Sequence, residues 1–131
     1  MKIAFASING KYLDCHFGQC SSFSIFSFSA NGYKWLESRS MPEYSEETHG
    51  HERIQSRVDA IRDCKLLFVS TIGNEAVQRL MNAGIMTIKV NAGTEIIAQL
   101  EKMRLMLMEH PPLWLLRAML RSDDDEKGEE A

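Results

Sequence analysis

Residues 14–20, DCHFGQC, gather an acid, two thiols and an imidazole. Thiolate and imidazole are the side chains that hold iron–sulfur and zinc centres. Cys15, His16 and Cys20 lack the spacing of a closed zinc site, because no CxxC pair and no fourth ligand at recognisable distance accompany them. The same residues also read as a turn, with both cysteines as small buried hydrophobes and His16 bonded to a backbone carbonyl. Spacing alone leaves both readings open.

Other reactive side chains are scattered. His49-Gly50-His51 stands in a polar stretch ahead of a helix, placed either to close over a centre at His16 or to sit in solvent. Arg53 and Arg57, four apart, attract anions or form a solvated helix face, the commoner outcome for such a pair. Cys64 directly precedes an apolar run and reads as core. Met103, Met106, Met108 and Met119 resemble a soft binding stripe, yet Ile96, Leu100, Met103 and Leu107 already make a sufficient helical core face. The surplus apolar surface suits either a partner protein or a last helix folding back to bury Trp114 and Leu116. Two-metal nuclease chemistry needs several carboxylates on the first strands; KIAFASI (2–8) carries none. No glycine-rich phosphate loop, Ser-His-Asp arrangement or basic aromatic stripe appears either.

The elements that must position these residues follow from periodicity. KIAFASI is β-prone and ends at the turn signal Asn9-Gly10. In FSIFSF (23–28), Phe23, Ile25 (or Phe26) and Phe28 alternate with serines as in a half-buried strand, and Asn31-Gly32 turns into an edge strand, YKWLESRS. Ile54, Val58 and Ile61 mark an amphipathic helix; LLFVS (66–70) is a strand covered on both faces. A helix over NEAVQRLMNA, a strand IMTIKV (85–90), and a helix EIIAQLEKMRLMLME capped from Asn91–Thr94 follow. Pro111-Pro112 then leads into a short last helix, LWLLRAML. The order β-β-β-α-β-α-β-α plus a short helix predicts an α/β domain with a mixed five-stranded sheet flanked by helices.

At 131 residues, 44% hydrophobic and 25% charged, the chain suits one domain. No apolar run is long enough to span a membrane, and MKIAFASING lacks the h-region of a signal peptide. Three cysteines cannot all pair within the chain, which fits a reducing, cytoplasmic setting. The net charge of −3 argues against nucleic acid as a partner. Residues 122–131, SDDDEKGEEA, carry −5 by themselves, which leaves +2 for the other 121. This predicts a domain over 1–121 and an acidic, disordered tail over 122–131.

The segments ING-K-x-x-x-x-HFGQC, Asp63-Cys64-Lys65-Leu66-Leu67-Phe68-Val69-Ser70-Thr71-Ile72-Gly73, Asn82-Ala83-Gly84-Ile85 and Pro111-Pro112-Leu113-Trp114-Leu115 together resemble the dinitrogenase iron–molybdenum cofactor biosynthesis family, over roughly residues 1–121. That resemblance implies a ribonuclease-H-like fold and a non-enzymatic carrier. Its cargo would be the NifB cofactor or a related iron–sulfur cluster, with or without molybdenum, held transiently between NifB and the NifE-NifN scaffold. It also admits a chaperone for finished cofactor and apo-dinitrogenase; a metal-free interaction module docking through the C-terminal helices stands as the reading from another class. His16 matches the family's cofactor-binding histidine, with Cys20 as a helper ligand, and Cys15 stands where the family carries a polar residue. A carrier needs an exposed, reversible site, so one histidine with a helper thiol suits transfer better than four cysteines. The cluster is anionic, so the helix start at Gly73-Asn74 would support it with orphan N–H groups, and Ser7 and Asn9 would add hydrogen bonds. The carrier would be a monomer or a cluster-bridged dimer.

Overall fold

The computed structural model describes residues 1–42 and 50–130, with side chains as far as Arg121. The chain runs β1 (Lys2–Ala6), β2 (Tyr12–Leu13), a 3-10 turn (Phe17–Gln19), β3 (Ser22–Ser29), β4 (Gly32–Ser40), α1 (Gly50–Ala60), β5 (Leu66–Val69), α2 (Asn74–Asn82), β6 (Met86–Lys89), β7 (Thr94–Glu95), α3 (Ile96–Glu109) and α4 (Leu113–Glu130). Five strands form one mixed sheet in the order β4-β3-β1-β5-β6. Pairing is antiparallel from β4 through β3 to β1, and parallel from β1 through β5 to β6.

Alternation along the central strands divides the core into two layers. Ala4 and Ala6 of β1 with Leu67 and Val69 of β5 face Val58 of α1, Ile61, and Ala76 and Leu80 of α2. Ile3, Phe5, Leu66 and Phe68 face the other way, onto Ile96, Leu100 and Met103 of α3 and Leu115 and Ala118 of α4. Phe5 lies at the middle of this second layer, stacked on Phe68 at 5.1 Å and edge-on to Phe26 at 5.5 Å. β3 is covered on both faces: Phe23 and Ile25 join the first layer, Phe26 and Phe28 the second. Both Ile25 and Phe26 are therefore core. The β3/β4 register shifts beside them, with Glu37 opposite Ile25 and Trp35 opposite Phe26, and the extra residue, Leu36, packs on the first layer.

Three features differ from the sequence expectation. β2 and β7 pair antiparallel as a separate two-stranded ribbon, Tyr12 with Glu95 and Leu13 with Thr94; two residues are too few to show a period. Glu95, not the Asn91–Thr94 segment, is the N-cap position of α3, while Thr94 Oγ1 donates to Asn91 O at 2.6 Å to hold the preceding turn. α4 does fold back onto the sheet, but Leu115 and Ala118 are the buried pair and Leu116 points outward, as an i, i+3 spacing requires. Its helical backbone also runs on to Glu130, past the predicted end near Leu120.

The edge strand β4 is tied to the C-terminal end of α1. Arg39 donates through Nη1 to Asp63 Oδ1 at 2.6 Å and to Ala60 O at 2.8 Å, and through Nη2 to Asp63 Oδ2 at 2.8 Å; Lys2 Nζ adds a bond to Asp63 Oδ2 at 3.0 Å. Arg39 holds the Asp63 carboxyl well below the usual carboxylate range, with Lys2 assisting. Among the described residues, no helix is long and apolar enough to cross a membrane.

Candidate functional site

β1 and β5 are parallel neighbours, but the chain leaves them in opposite directions, toward β3 from one and toward β6 from the other. A crevice outside the carboxyl ends of two such strands is the usual ligand site of an open α/β sheet. The HFG segment fills this position. His16 forms an isolated parallel bridge with Thr71, just past β5, and Phe17 N donates to Thr71 O at 2.9 Å. Ser70 Oγ donates to Cys15 O at 3.0 Å, and Gln19 N donates to His16 O at 3.0 Å to close the 3-10 turn. Phe17 is fully buried, 5.8 Å from the Phe23 ring. The main chain of His16 is thus pinned from both sides while its imidazole stays exposed. The ring lies over Gly18, where an added Cβ would sit 3.6 Å from Cε1.

The thiols do not stand beside this imidazole. Cys15 and Cys20 are buried in the layer beneath α1 and α2, and Cys20 Sγ donates to Ser22 O at 2.8 Å. Alternation along the extended backbone on either side of His16 turns its neighbours inward when the imidazole turns outward. Burial pushes the Cys15 thiol up, with Cys20 and Asp14 adding to the effect. Burial also pushes Cys20 up, against opposing bonds from Cys15 and Ser22 and the charge of Arg57. Both thiols thus face the core rather than the imidazole, whereas the sequence expectation places Cys20 as a helper ligand of His16 with Cys15 alongside it. Cys64 is buried in the same layer, its thiol raised to about 12 chiefly by burial, as expected of a core cysteine.

Ser7 and Asn9 also have prior engagements. Gly10 N donates to Ser7 Oγ at 3.0 Å, and Asn9 Oδ1 accepts from Lys11 N at 2.9 Å and Tyr12 N at 3.2 Å. Together they shape the turn after β1, in which Gly10 takes a φ of +75° that a side chain would strain. The Gly73-Asn74 start is in place: Gly73 occupies the N-cap of α2 in an extended conformation, with no side-chain cap, two residues beyond the bridge partner Thr71. Asn74 and Glu75 are exposed there. Among the described residues, no three His, Cys, Asp or Glu side chains gather closely enough to hold a single metal ion.

Two features escaped the sequence. Arg57 is 4% exposed rather than solvated; its Nε donates to Cys20 O and its Nη1 to Arg53 O, both at 3.1 Å. Arg53 and Arg57 line a cavity of about 290 Å³ against Gly18, Gln19 and Ser21, on the flank of the HFG turn. An i, i+4 arginine pair carries no mark in the sequence that it packs against the HFG turn. The second feature is a contact between His51 Nδ1 on α1 and Glu75 Oε1 on α2; His49 lies outside the described residues. Of the methionine stripe, Met103 is core, Met106 and Met119 pack at the core margin, and Met108 is exposed.

An exposed imidazole on a fixed main chain, an uncapped helix start and a basic cavity can hold an anionic group by few contacts. Residues 1–105 match the sequence profile described as dinitrogenase iron-molybdenum cofactor. The chain is 31% identical to protein NifX of Sinorhizobium fredii over 132 residues, spanning 97% of this chain and 82% of that one. It is 32% identical to protein NifX of Azotobacter vinelandii, over 93% of this chain and 77% of that one. The crystal structure of PH0822 superposes with a TM-score of 0.58 at 20% identity, covering 87% of this chain and 97% of that chain, a likeness of fold alone. With the profile covering residues 1–105 and the two NifX proteins matched over 93–97% of this chain and 77–82% of theirs, the chain belongs to the dinitrogenase iron–molybdenum cofactor family, as a member of its NifX group.

Proposed function

We propose that the chain is a non-catalytic carrier that holds an iron–sulfur precursor of the nitrogenase iron–molybdenum cofactor at His16 and passes it from NifB to the NifE-NifN scaffold. The observation that carries this reading is the division of labour in the HFG turn: the main chain of His16 is fixed by Thr71 while the imidazole is exposed. A single neutral imidazole supplies one exchangeable iron ligand, which suits cargo that must leave again. The helix start at Gly73 and the arginine-lined cavity suit the negative charge of a sulfide-rich cluster. Cys15 and Cys20 serve this site from beneath, as packing. The sheet order with its antiparallel meander supports reading the fold as ribonuclease-H-like.

A second reading rests on the far side of the molecule. Met108, Leu113 and Leu120 are each more than 60% exposed on α3 and α4, which favours docking to another protein, whether the scaffold or apo-dinitrogenase. Anaerobic titration with isolated NifB cofactor separates the readings. Wild type should bind the cofactor and His16→Ala should lose at least tenfold in affinity. Equal weak binding by both would leave the docking module as the better description.

A further inference from the structure

Besides His16, a second exposed imidazole, that of His51, has a carboxylate set against it. His51 sits in the first turn of α1 and is 73% exposed, and its Nδ1 contacts the Glu75 carboxylate on the first turn of α2. A carboxylate on Nδ1 holds the ring with Nε2 directed away from the acid. When a histidine so placed binds a metal through Nε2, its Nδ1–H is donated to the carboxylate, which is how proteins orient a metal-ligating histidine. The pair is not needed to join the two helices. Arg79 of α2 already bridges to Gln55 of α1 and to Glu75 within its own helix, and an exposed ion pair contributes only about 0–1 kcal/mol.

Position matters as much as chemistry. Glu75 is four residues beyond Thr71, the bridge partner of His16. Four residues span at most about 14 Å even when extended, and the last of these are helical, which shortens the reach. The contacts of His16 and His51 therefore fall on the same short stretch, Thr71 to Glu75, that enters α2. Such an arrangement suits a cluster of several irons better than a lone ion, in keeping with the lack of any three-ligand group among the described residues.

We infer that His51, oriented by Glu75, is a second protein ligand of the cargo, binding through Nε2 an iron other than the one held by His16. The inference rests on the carrier reading. In the binding step the Nε2 lone pair displaces a labile solvent ligand from iron; the imidazole stays neutral and no electron moves. Two contacts at separate irons hold the cluster more firmly than one, and release of His51 first gives the acceptor an open iron before His16 lets go.

The test uses the full chain under anaerobic conditions, with isolated NifB cofactor as probe. Affinity is measured for wild type, His51→Ala, Glu75→Gln and His16→Ala. In parallel, diethyl pyrocarbonate labelling of each histidine is read by mass spectrometry with and without cofactor. The expected result is protection of both His16 and His51 by cofactor, a loss of about tenfold or more in His51→Ala, and a smaller loss in Glu75→Gln, as for other orienting carboxylates. Unchanged affinity in His51→Ala, with His51 still labelled in the complex, overturns the inference while leaving the His16 carrier intact. Unchanged affinity in His16→Ala overturns the carrier reading itself.

Discussion

Replacing Phe17 by alanine removes a fully buried ring from directly beside the exposed His16. Burial of a phenylalanine contributes about 1.5–3 kcal/mol of transfer free energy. The void left against Phe23 and the first core layer raises the expected loss to about 3–5 kcal/mol, a large share of the roughly 5–15 kcal/mol total for a domain of this kind. With a urea m-value of about 2 kcal/mol/M, the unfolding midpoint should fall by roughly 2 M. His16→Ala takes away only exposed surface and should stay within about 0.5 kcal/mol of wild type. The main-chain bond from Phe17 N to Thr71 O survives both substitutions, so the contrast isolates the side chains. Urea melts by circular dichroism on wild type and both variants decide the matter. A Phe17→Ala loss below about 1 kcal/mol, or a His16→Ala loss above it, would refute the claim that one residue anchors the turn and the other is free to serve cargo.

Arg57→Met keeps the stem volume but strips the donors from the Cys20 and Arg53 carbonyls, so it should cost about 1–3 kcal/mol in the same melts. All three thiols are buried, so Ellman's reagent should titrate them only after unfolding. Because the folded Cys64 thiol lies near 12 and the unfolded one near 9.0, its contribution is complete below pH 9 and declines as pH rises toward 12; Cys64→Ala should flatten that limb. Asp63 is shifted the other way: its contribution is complete above the unfolded value of 3.8 and is lost on acidification. Asp63→Asn should therefore cost about 1 kcal/mol at pH 7, given a partly exposed network, and progressively less as pH falls below 3.8, with part of the cost still present at pH 2. Truncation after Arg121 should leave affinity for NifB cofactor unchanged in the anaerobic titration, and a large loss would refute an independent acidic segment.

Much of the frame was legible because it is written in period. Ile54, Val58 and Ile61 announced a helix, and the unbroken run from Leu66 to Val69 announced a strand buried on both sides, as the two-layer core bears out. The ribbon of Tyr12–Leu13 with Thr94–Glu95 was not legible, since two-residue strands joined across the chain leave no repeat. Within the candidate site, the placement of His16 and of the Gly73 helix start near the end of β5 followed from motif and position. The inward thiols did not, because cysteine serves equally as ligand and as small hydrophobe, and only the direction of each Cβ decides between them. Arg57 failed for a related reason: a guanidinium is expected in water, and its burial depends in part on the Cys20 carbonyl, supplied by a loop 37 residues earlier.

The sheet has a further consequence as a partition. His16, the Gly73 helix start and the arginine cavity belong to the side roofed by α1 and α2, whereas the exposed apolar positions of α3 and α4 lie across the strands from them. On the carrier reading proposed above, grip on cargo and grip on a neighbouring protein would not compete for one surface. A loaded carrier would then stay seated on its acceptor through the moment of handover, and an emptied one would depart on a separate clock. Loading and docking would be independently adjustable, so that His16→Ala is expected to silence delivery while leaving docking intact.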